Sequence, residues 1–170
     1  MNQLKNIYAL LLLAALGGVM LSIHSCGRSA DSGGRKVVLI AGKPSHGEGC
    51  HEWEQDAQLL KQALDDAVRQ GLIKPLRIEI HKNGWPENPA VLDDADAIVF
   101  LSDGFADHPL KEPQRAAKIR TLVKRGVGLA FIHYAVEPPE GGGADFLEWI
   151  GGCYERGYSQ NHRIRWPSRP

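Results

Sequence analysis

A chain of 170 residues is long enough for one domain with a sizeable hydrophobic core and too short for two domains of typical size. Its 20 basic and 20 acidic side chains give a formal net charge of zero, which excludes the basic excess typical of nucleic-acid-binding proteins and of electrostatic membrane patches. We therefore expect small or uncharged partners and no nucleic acid. The composition does not define an oligomeric state.

The first 26 residues have the pattern of a secretory signal peptide. A single cation, Lys5, precedes residues 7–23, which carry no charge, and the small residue Ser25 stands immediately before Cys26. Cys26 occupies the place of the lipidated cysteine in bacterial lipoprotein signals. The sequence therefore predicts a cell-envelope protein that a lipid on Cys26 anchors to the membrane. An ordinary cleaved signal, which would release a periplasmic protein, and an uncleaved membrane anchor both stay open, because the apolar run is near the lower limit for spanning a bilayer.

Residues 27–35 are small and polar, and they predict a flexible tether before one folded domain at 36–170. Within that domain, apolar runs closed by turn residues alternate with segments in which apolar residues recur every three or four positions. The predicted strands are 36–42, 76–81, 96–101 and 127–133, and the predicted helices are 52–70, 113–125 and 144–150. Strands that alternate with crossover helices indicate right-handed βαβ units, a mainly parallel sheet and a three-layer α/β sandwich.

The composition of each strand predicts its place in the sheet. Residues 36–42, 96–101 and 127–133 are apolar at consecutive positions, which is typical of strands buried on both faces. Residues 76–81 alternate between apolar and polar side chains, so this strand is expected at or near an edge. We therefore expect 127–133 to be a central strand, with His133 on the floor of a pocket at its end.

Three loops that follow predicted strands hold most of the chemically reactive side chains: 43–52, 102–108 and 133–137. Four of the seven histidines of the chain lie in these loops, so the clustering does not depend on a single residue. Because ligands of parallel α/β sheets bind beyond the carboxyl ends of the strands, we expect the three loops to form one site. The alternative is that polar loops merely contain polar residues.

Four segments carry a resemblance to a known family: AGKPSHGEGCHEWE, DADAIVFLSDG, GVGLAFIHYAVEPP and FLEWIGGCYE. In this order along residues 36–162, they resemble ThuA-like (trehalose-utilisation) domains of the class I glutamine amidotransferase-like superfamily. The resemblance implies a flavodoxin-like fold and a role in carbohydrate utilisation, with a disaccharide or keto-sugar as the small-molecule partner. It also implies further strands and helices after residues 161–166, which have the pattern of a strand, so we expect a truncated, incomplete domain.

The resemblance places His133 where class I amidotransferases carry a nucleophilic cysteine, on the sharp turn after a strand. An imidazole cannot perform the thiolate chemistry of glutamine hydrolysis, so we do not expect a glutaminase. The candidate catalytic residues are His133, Asp103 and Glu137. The candidate ligand-binding residues are Ser45, His46, His51, Ser102, Gly104, His108 and Tyr134.

Three uses of these groups stay open: binding of a divalent metal ion, acid–base chemistry without a metal, and purely structural roles. The candidate metal ligands are His46, His51 and His133. The aromatic residues Trp53, Trp85 and Tyr134 either stack against a sugar or pack in the core. For the whole protein, an enzyme of saccharide breakdown and a non-catalytic, membrane-anchored sugar- or ligand-binding module are both open.

Export also bears on two further cysteines. Cys50 and Cys153 follow strands on the same predicted rim, and an oxidising compartment would favour a disulfide between them. We expect the two residues to approach one another, which for a disulfide requires Cα atoms within about 7 Å.

We predict that Cys26 becomes the N-terminal residue of the mature protein. Intact-mass measurement on protein extracted from membranes should give a chain that starts at Cys26 and carries the added mass of a lipid, and the Cys26→Ser variant should stay unlipidated. A mature chain that starts elsewhere, or a lipidated Cys26→Ser variant, would contradict this prediction.

Overall fold

The structure, a computed structural model, describes residues 33–156. The predicted leader, Cys26, residues 27–32 of the tether and the strand-like segment 161–166 lie outside the described residues. The strands are β1 (Arg35–Ala41), β2 (Leu76–His81), β3 (Ala97–Leu101) and β4 (Gly128–Ile132). The helices are α1 (Trp53–Arg69), α2 (Pro113–Lys124) and α3 (Gly143–Ile150), and short 3₁₀ turns lie at Pro89–Leu92, Phe105–Asp107, Pro109–Lys111 and His133–Val136.

The helix boundaries follow local sequence signals. Helix α1 ends just before Gly71, whose φ of 70° lies in the left-handed region that glycine enters without steric cost. Helix α2 begins at Pro113, because proline lacks only a backbone donor that the first helical turn leaves unpaired in any case. No helix within residues 33–156 is long and apolar enough to cross a membrane.

The four strands form one parallel sheet in the order β2-β1-β3-β4. Strand β1 lies between β2 and β3, and its residue Val38 is opposite Glu79 on one side and Ile98 on the other. This all-parallel sheet with crossover helices is a flavodoxin-like α/β arrangement, as the sequence predicts.

Each face of the sheet has its own apolar core, which gives the predicted three layers. On one face, Ile40 and Phe100 pack with Ile119 of α2 and Phe146 of α3, and all four side chains are buried. On the other face, Trp53 and other apolar residues of α1 pack against Leu39, Ala41 and Leu101. Helix α1 therefore covers one side of the sheet, and α2 and α3 cover the other.

Strand β4 corrects one expectation from the sequence. It lies at an edge of the described sheet, where Ala130 and Ile132 are exposed and Leu129 and Phe131 are only partly buried. Within residues 33–156, β4 pairs with β3 alone, and the face that α1 covers on β1 is open at β4. A run of apolar residues thus does not distinguish a central strand from an edge strand with one open face. The prediction that β2 lies at an edge is confirmed.

A buried lysine holds the opposite end of the sheet, where β1 begins. The side chain of Lys36 is 5% exposed, and its Nζ donates to the carbonyl of Val91 and to Asp94 Oδ1, both at 2.7 Å. Glu79 Oε1 lies 3.1 Å from the same nitrogen. The contact with Lys36 holds the pKa of the Asp94 carboxyl below its usual value. Buried charges are tolerated when they are paired in this way.

We predict that Lys36→Met lowers the free energy of unfolding by about 2 kcal/mol, because it leaves the Val91 carbonyl without its donor and takes the Lys36 cation from Glu79. Asp94 keeps its contact with Arg77. The matched control is Lys61→Met, which removes an exposed pair with Asp65 and should change stability by less than about 1 kcal/mol. Urea unfolding at neutral pH measures both effects. Equal losses in the two variants would show that burial of the Lys36 ammonium has no special role.

Candidate functional site at the carboxyl edge of the sheet

The loop after β1 is closed on itself, and this closure presents two histidines side by side. Ser45 and His51 form an isolated antiparallel bridge, and the Cys50 N–H donates to the Gly47 carbonyl at 3.2 Å. His46 has a φ of 60°, a left-handed conformation that is uncommon for a residue other than glycine. The ring centroids of His46 and His51 are consequently only 4.2 Å apart.

Asp103, which follows β3, is the carboxylate that meets this loop. Its Oδ1 lies 2.9 Å from Nδ1 of His51 and 3.7 Å from Nδ1 of His46. Ser45 Oγ lies between the two rings, 2.9 Å from His51 Nδ1 and 3.0 Å from His46 Nδ1. His51 and Asp103 are largely buried, whereas the His46 side chain is 61% exposed. An ionised carboxylate only accepts hydrogen bonds, so the contact assigns the His51 ring proton to Nδ1.

His133 approaches the same cluster from the end of β4. It begins a short 3₁₀ turn with a φ of 59°, and its Nε2 lies 3.4 Å from Nε2 of His51. Partial burial beside the cluster lowers the pKa of the His133 imidazole, and the neighbouring His51 acts in the same direction, so the neutral ring is favoured. The sharp turn agrees with the sequence expectation. The expectation that His133 forms the floor of a pocket is wrong, because this residue is exposed at the rim of the site.

Aromatic rings surround the imidazoles. The ring centroid of Tyr134 lies 4.3 Å from that of His133 and 5.1 Å from that of His51. Trp53 is 2% exposed, packs 4.7 Å from the His51 ring and has an indole nitrogen with no hydrogen-bond partner among the described residues. Trp53 is therefore a core residue that packs beneath the His51 ring. Trp85 packs against the core, with the Arg115 guanidinium 5.4 Å from its ring centroid.

Glu137 lies beside the cluster, against the turn at Gly104. A Cβ added at Gly104 would lie 2.3 Å from Cβ of Glu137 and 2.6 Å from the carbonyl oxygen of Tyr134, so only glycine permits this approach. Glu137 is 9% exposed, and burial raises the pKa of its carboxyl although Arg156 acts against that shift. This carboxyl group therefore holds its proton to a higher pH than an exposed glutamate does.

Two open cavities of about 430 and 420 Å³ flank Asp103. Ser45 and Lys43 lie in the wall of the first cavity. The second, which we call the Glu137 cavity, is lined by His46, Asp103, Gly104, Tyr134, Glu137, Tyr154 and Arg156, among others. Five of the candidate site residues therefore share one cavity, whose size and polar lining suit a small hydroxyl-rich molecule.

Two predicted ligand-binding residues belong to the protein interior instead. His108 is wholly buried, its Nδ1 accepts from the Leu110 N–H at 2.9 Å, and its Nε2 donates to the Ala135 carbonyl at 3.1 Å. Ser102 is 1% exposed, and its hydroxyl donates to the Asp103 carbonyl. Both side chains use their polar atoms on the backbone, so they support the site rather than contact a ligand.

No disulfide joins Cys50 and Cys153, because both are free thiols in the structure. Cys50 is exposed on the loop that precedes α1, whereas Cys153 packs against the core after α3. Burial raises the pKa of the Cys153 thiol, which favours the unreactive protonated form.

The sequence reasoning missed two cavity residues, Tyr154 and Arg156. They reach the Glu137 cavity because the chain returns to the rim after α3, where the Tyr154 N–H donates to the Val136 carbonyl at 3.0 Å. The Arg156 guanidinium then lies 4.5 Å from the ring centroid of Phe105. No local motif around these two residues signals this return.

Comparisons of the chain with protein-family models, with curated proteins and with solved structures found no match. The fold and site described above therefore define the class of the protein: a parallel α/β domain of flavodoxin-like topology with an imidazole–carboxylate cluster at the carboxyl edge of its sheet.

We predict that His108 makes folding stability depend on pH. Burial lowers its pKa from 6.5 in an exposed ring to about 4 in the folded protein, so its contribution is fully present above pH 6.5 and is lost as the pH falls towards 4. The shift corresponds to about 3 kcal/mol. His108→Gln keeps a side-chain donor for the Ala135 carbonyl but cannot titrate. Urea unfolding between pH 7.5 and 4 should show a shallower pH dependence for the variant, and parallel profiles would contradict the assignment.

Proposed function

We propose that this chain is a ThuA-like enzyme of carbohydrate utilisation, which acts on a disaccharide or keto-sugar and works at the cell envelope as a lipoprotein. The substrate occupies the Glu137 cavity, where Asp103 and Glu137 face it. The imidazoles of His51 and His133 lie outside the lining of this cavity and are connected to it through Asp103. The proposal excludes glutaminase activity.

One observation carries this proposal: the chain of contacts from Asp103 through His51 to His133. Asp103 Oδ1 lies 2.9 Å from His51 Nδ1, and His51 Nε2 lies 3.4 Å from His133 Nε2. A carboxylate that fixes one ring nitrogen of a histidine leaves the other nitrogen oriented and basic. Enzymes use this arrangement to move protons or activate water, whereas a structural histidine has both ring nitrogens on backbone groups, as His108 does here.

Glu137 supplies the complementary acid. Its carboxyl lines the same cavity as Asp103, and burial raises its pKa, so it stays protonated to a higher pH and is able to donate to a departing oxygen. The two carboxyl groups thus have different environments: Asp103 lies beside two imidazoles, whereas Glu137 is packed against Gly104 and Tyr134. Tyr134 adds an aromatic face of the kind that packs against sugar rings.

The turn after β4 supports the exclusion of glutaminase chemistry. His133 has the left-handed φ of 59° and begins a short helical turn, a geometry that exposes its side chain at the strand end. An imidazole in that place cannot form the thioester intermediate of glutamine hydrolysis. The exposed thiol of Cys50 is on the loop after β1 and not on this turn.

We predict that His133→Asn lowers kcat/KM on the converted saccharide by about 100-fold or more, because it removes an imidazole from the proton path. Asparagine tolerates the left-handed backbone, and the His133 side chain is exposed, so the thermal unfolding midpoint should hardly change. The assay is a product screen by NMR with disaccharides and their keto derivatives. The control is His81→Gln, which alters a histidine at the end of β2 and should leave turnover intact.

Retained turnover in His133→Asn, together with a large loss of stability, would overturn the catalytic role of His133. Saccharides that bind to the wild type without being converted would instead favour a sugar-binding module. Hydrolysis of glutamine by the wild type would contradict the exclusion of glutaminase activity.

A further inference from the structure

The imidazole–carboxylate cluster has the donor set of a metal site. One group of possible ligand side chains converges within residues 33–156, and its members are His46, His51 and Asp103. Each offers one ligand atom, and the three atoms lie within 4.8 Å of one another. Two imidazole nitrogens and one carboxylate oxygen form a set that holds zinc and iron in proteins and leaves further coordination positions open. From this geometry we propose that His46, His51 and Asp103 bind one divalent first-row transition metal ion.

The two distances from the Asp103 carboxylate to the imidazole nitrogens fit one shared ion. Ligand atoms that each lie about 2.0 to 2.1 Å from a single ion are separated by about 3 to 4 Å, depending on the angle between the bonds. Asp103 Oδ1 lies 2.9 Å from His51 Nδ1 and 3.7 Å from His46 Nδ1. Ser45 Oγ is within 3.0 Å of both nitrogens, so its hydroxyl lies next to the same point.

The surroundings provide the outer contact that metal-bound histidines generally have. When Nδ1 of His51 binds the ion, its ring proton moves to Nε2, which lies 3.4 Å from Nε2 of His133. His133 then accepts that proton in a hydrogen bond and orients the ligand ring, as outer partners of metal-bound histidines do. His133 is thus a positioning residue for the metal, in addition to its role in the proposed function.

The ion would be accessible to small molecules. Asp103 lines both cavities beside the cluster, with Ser45 in one and His46 in the other, so the open coordination positions face solvent-filled space. Bound there, the ion would polarise an oxygen of water or of a saccharide. This inference deepens the proposed function, since it assigns a cofactor class to the same site.

The test is metal binding by the full-length chain, purified without a histidine tag and stripped with a chelator. Calorimetric titration with Zn²⁺ should give one bound ion per chain, and Co²⁺ should give visible d–d absorption bands of a low-symmetry site that Zn²⁺ abolishes. His46→Ala is the main variant, because the His46 side chain is 61% exposed and we expect its removal to leave the fold intact. It and Asp103→Asn should lower Zn²⁺ affinity by more than about 100-fold.

Two further variants make the assignment specific. His133→Asn should weaken Zn²⁺ binding by about 10- to 100-fold without removing it, as the loss of an outer partner does. His81→Gln, which changes a histidine outside the cluster, should leave affinity unchanged. Absence of stoichiometric binding, equal losses in His81→Gln and His46→Ala, or undiminished binding in His46→Ala would each overturn the proposal. A protein that converts saccharides without binding metal refutes the metal site alone, and one that binds metal but converts no saccharide refutes the proposed function alone.

Discussion

The parallel pairing of β1 with β3 is the constraint on which the candidate site depends. Ala41 and Leu101 are partners in this register, and the Gly42 N–H donates to the Leu101 carbonyl at 2.8 Å immediately beyond it. A Cβ added at Gly42 would lie 3.0 Å from Cα of Ser102, so the two chains leave the sheet in close contact. The loop that carries the two histidines and the turn that carries Asp103 therefore start from the same place, although His51 and Asp103 are 52 residues apart in sequence.

Much of this architecture follows from the sequence, because its strands and helices carry independent local signals. The apolar runs of β1 and β3, the edge pattern of β2 and the glycine and proline residues at the helix ends all predict what the structure contains. The position of β4 could not be predicted in the same way. Burial of a strand depends on what lies beside it, and the apolar side chains at Ala130 and Ile132 suit a covered strand and an open edge equally well.

For the site, the sequence predicts which loops meet but not which side chains face the cavity. The loop closes through the bridge between Ser45 and His51, and this closure brings His46 and His51 to Asp103. No periodic pattern in the sequence predicts that bridge. His108 lies in a polar loop after a strand, as the other candidate histidines do. Both of its ring nitrogens nevertheless form hydrogen bonds with backbone groups, those of Leu110 and Ala135. Whether a histidine in a loop binds a ligand or the backbone is thus decided by tertiary contacts that single-sequence reasoning does not contain.

The backbone is left-handed at His46, Phe105 and His133, a conformation that restricts which residues suit these positions. Each places a residue with a Cβ where glycine would relieve steric strain of about 1 kcal/mol or more. Glycine would remove this backbone strain at all three positions. Such a replacement would erase an imidazole or the aromatic platform beneath Arg156. The backbone conformation at these positions therefore favours glycine, whereas the ring contacts of the site require the side chains that are present.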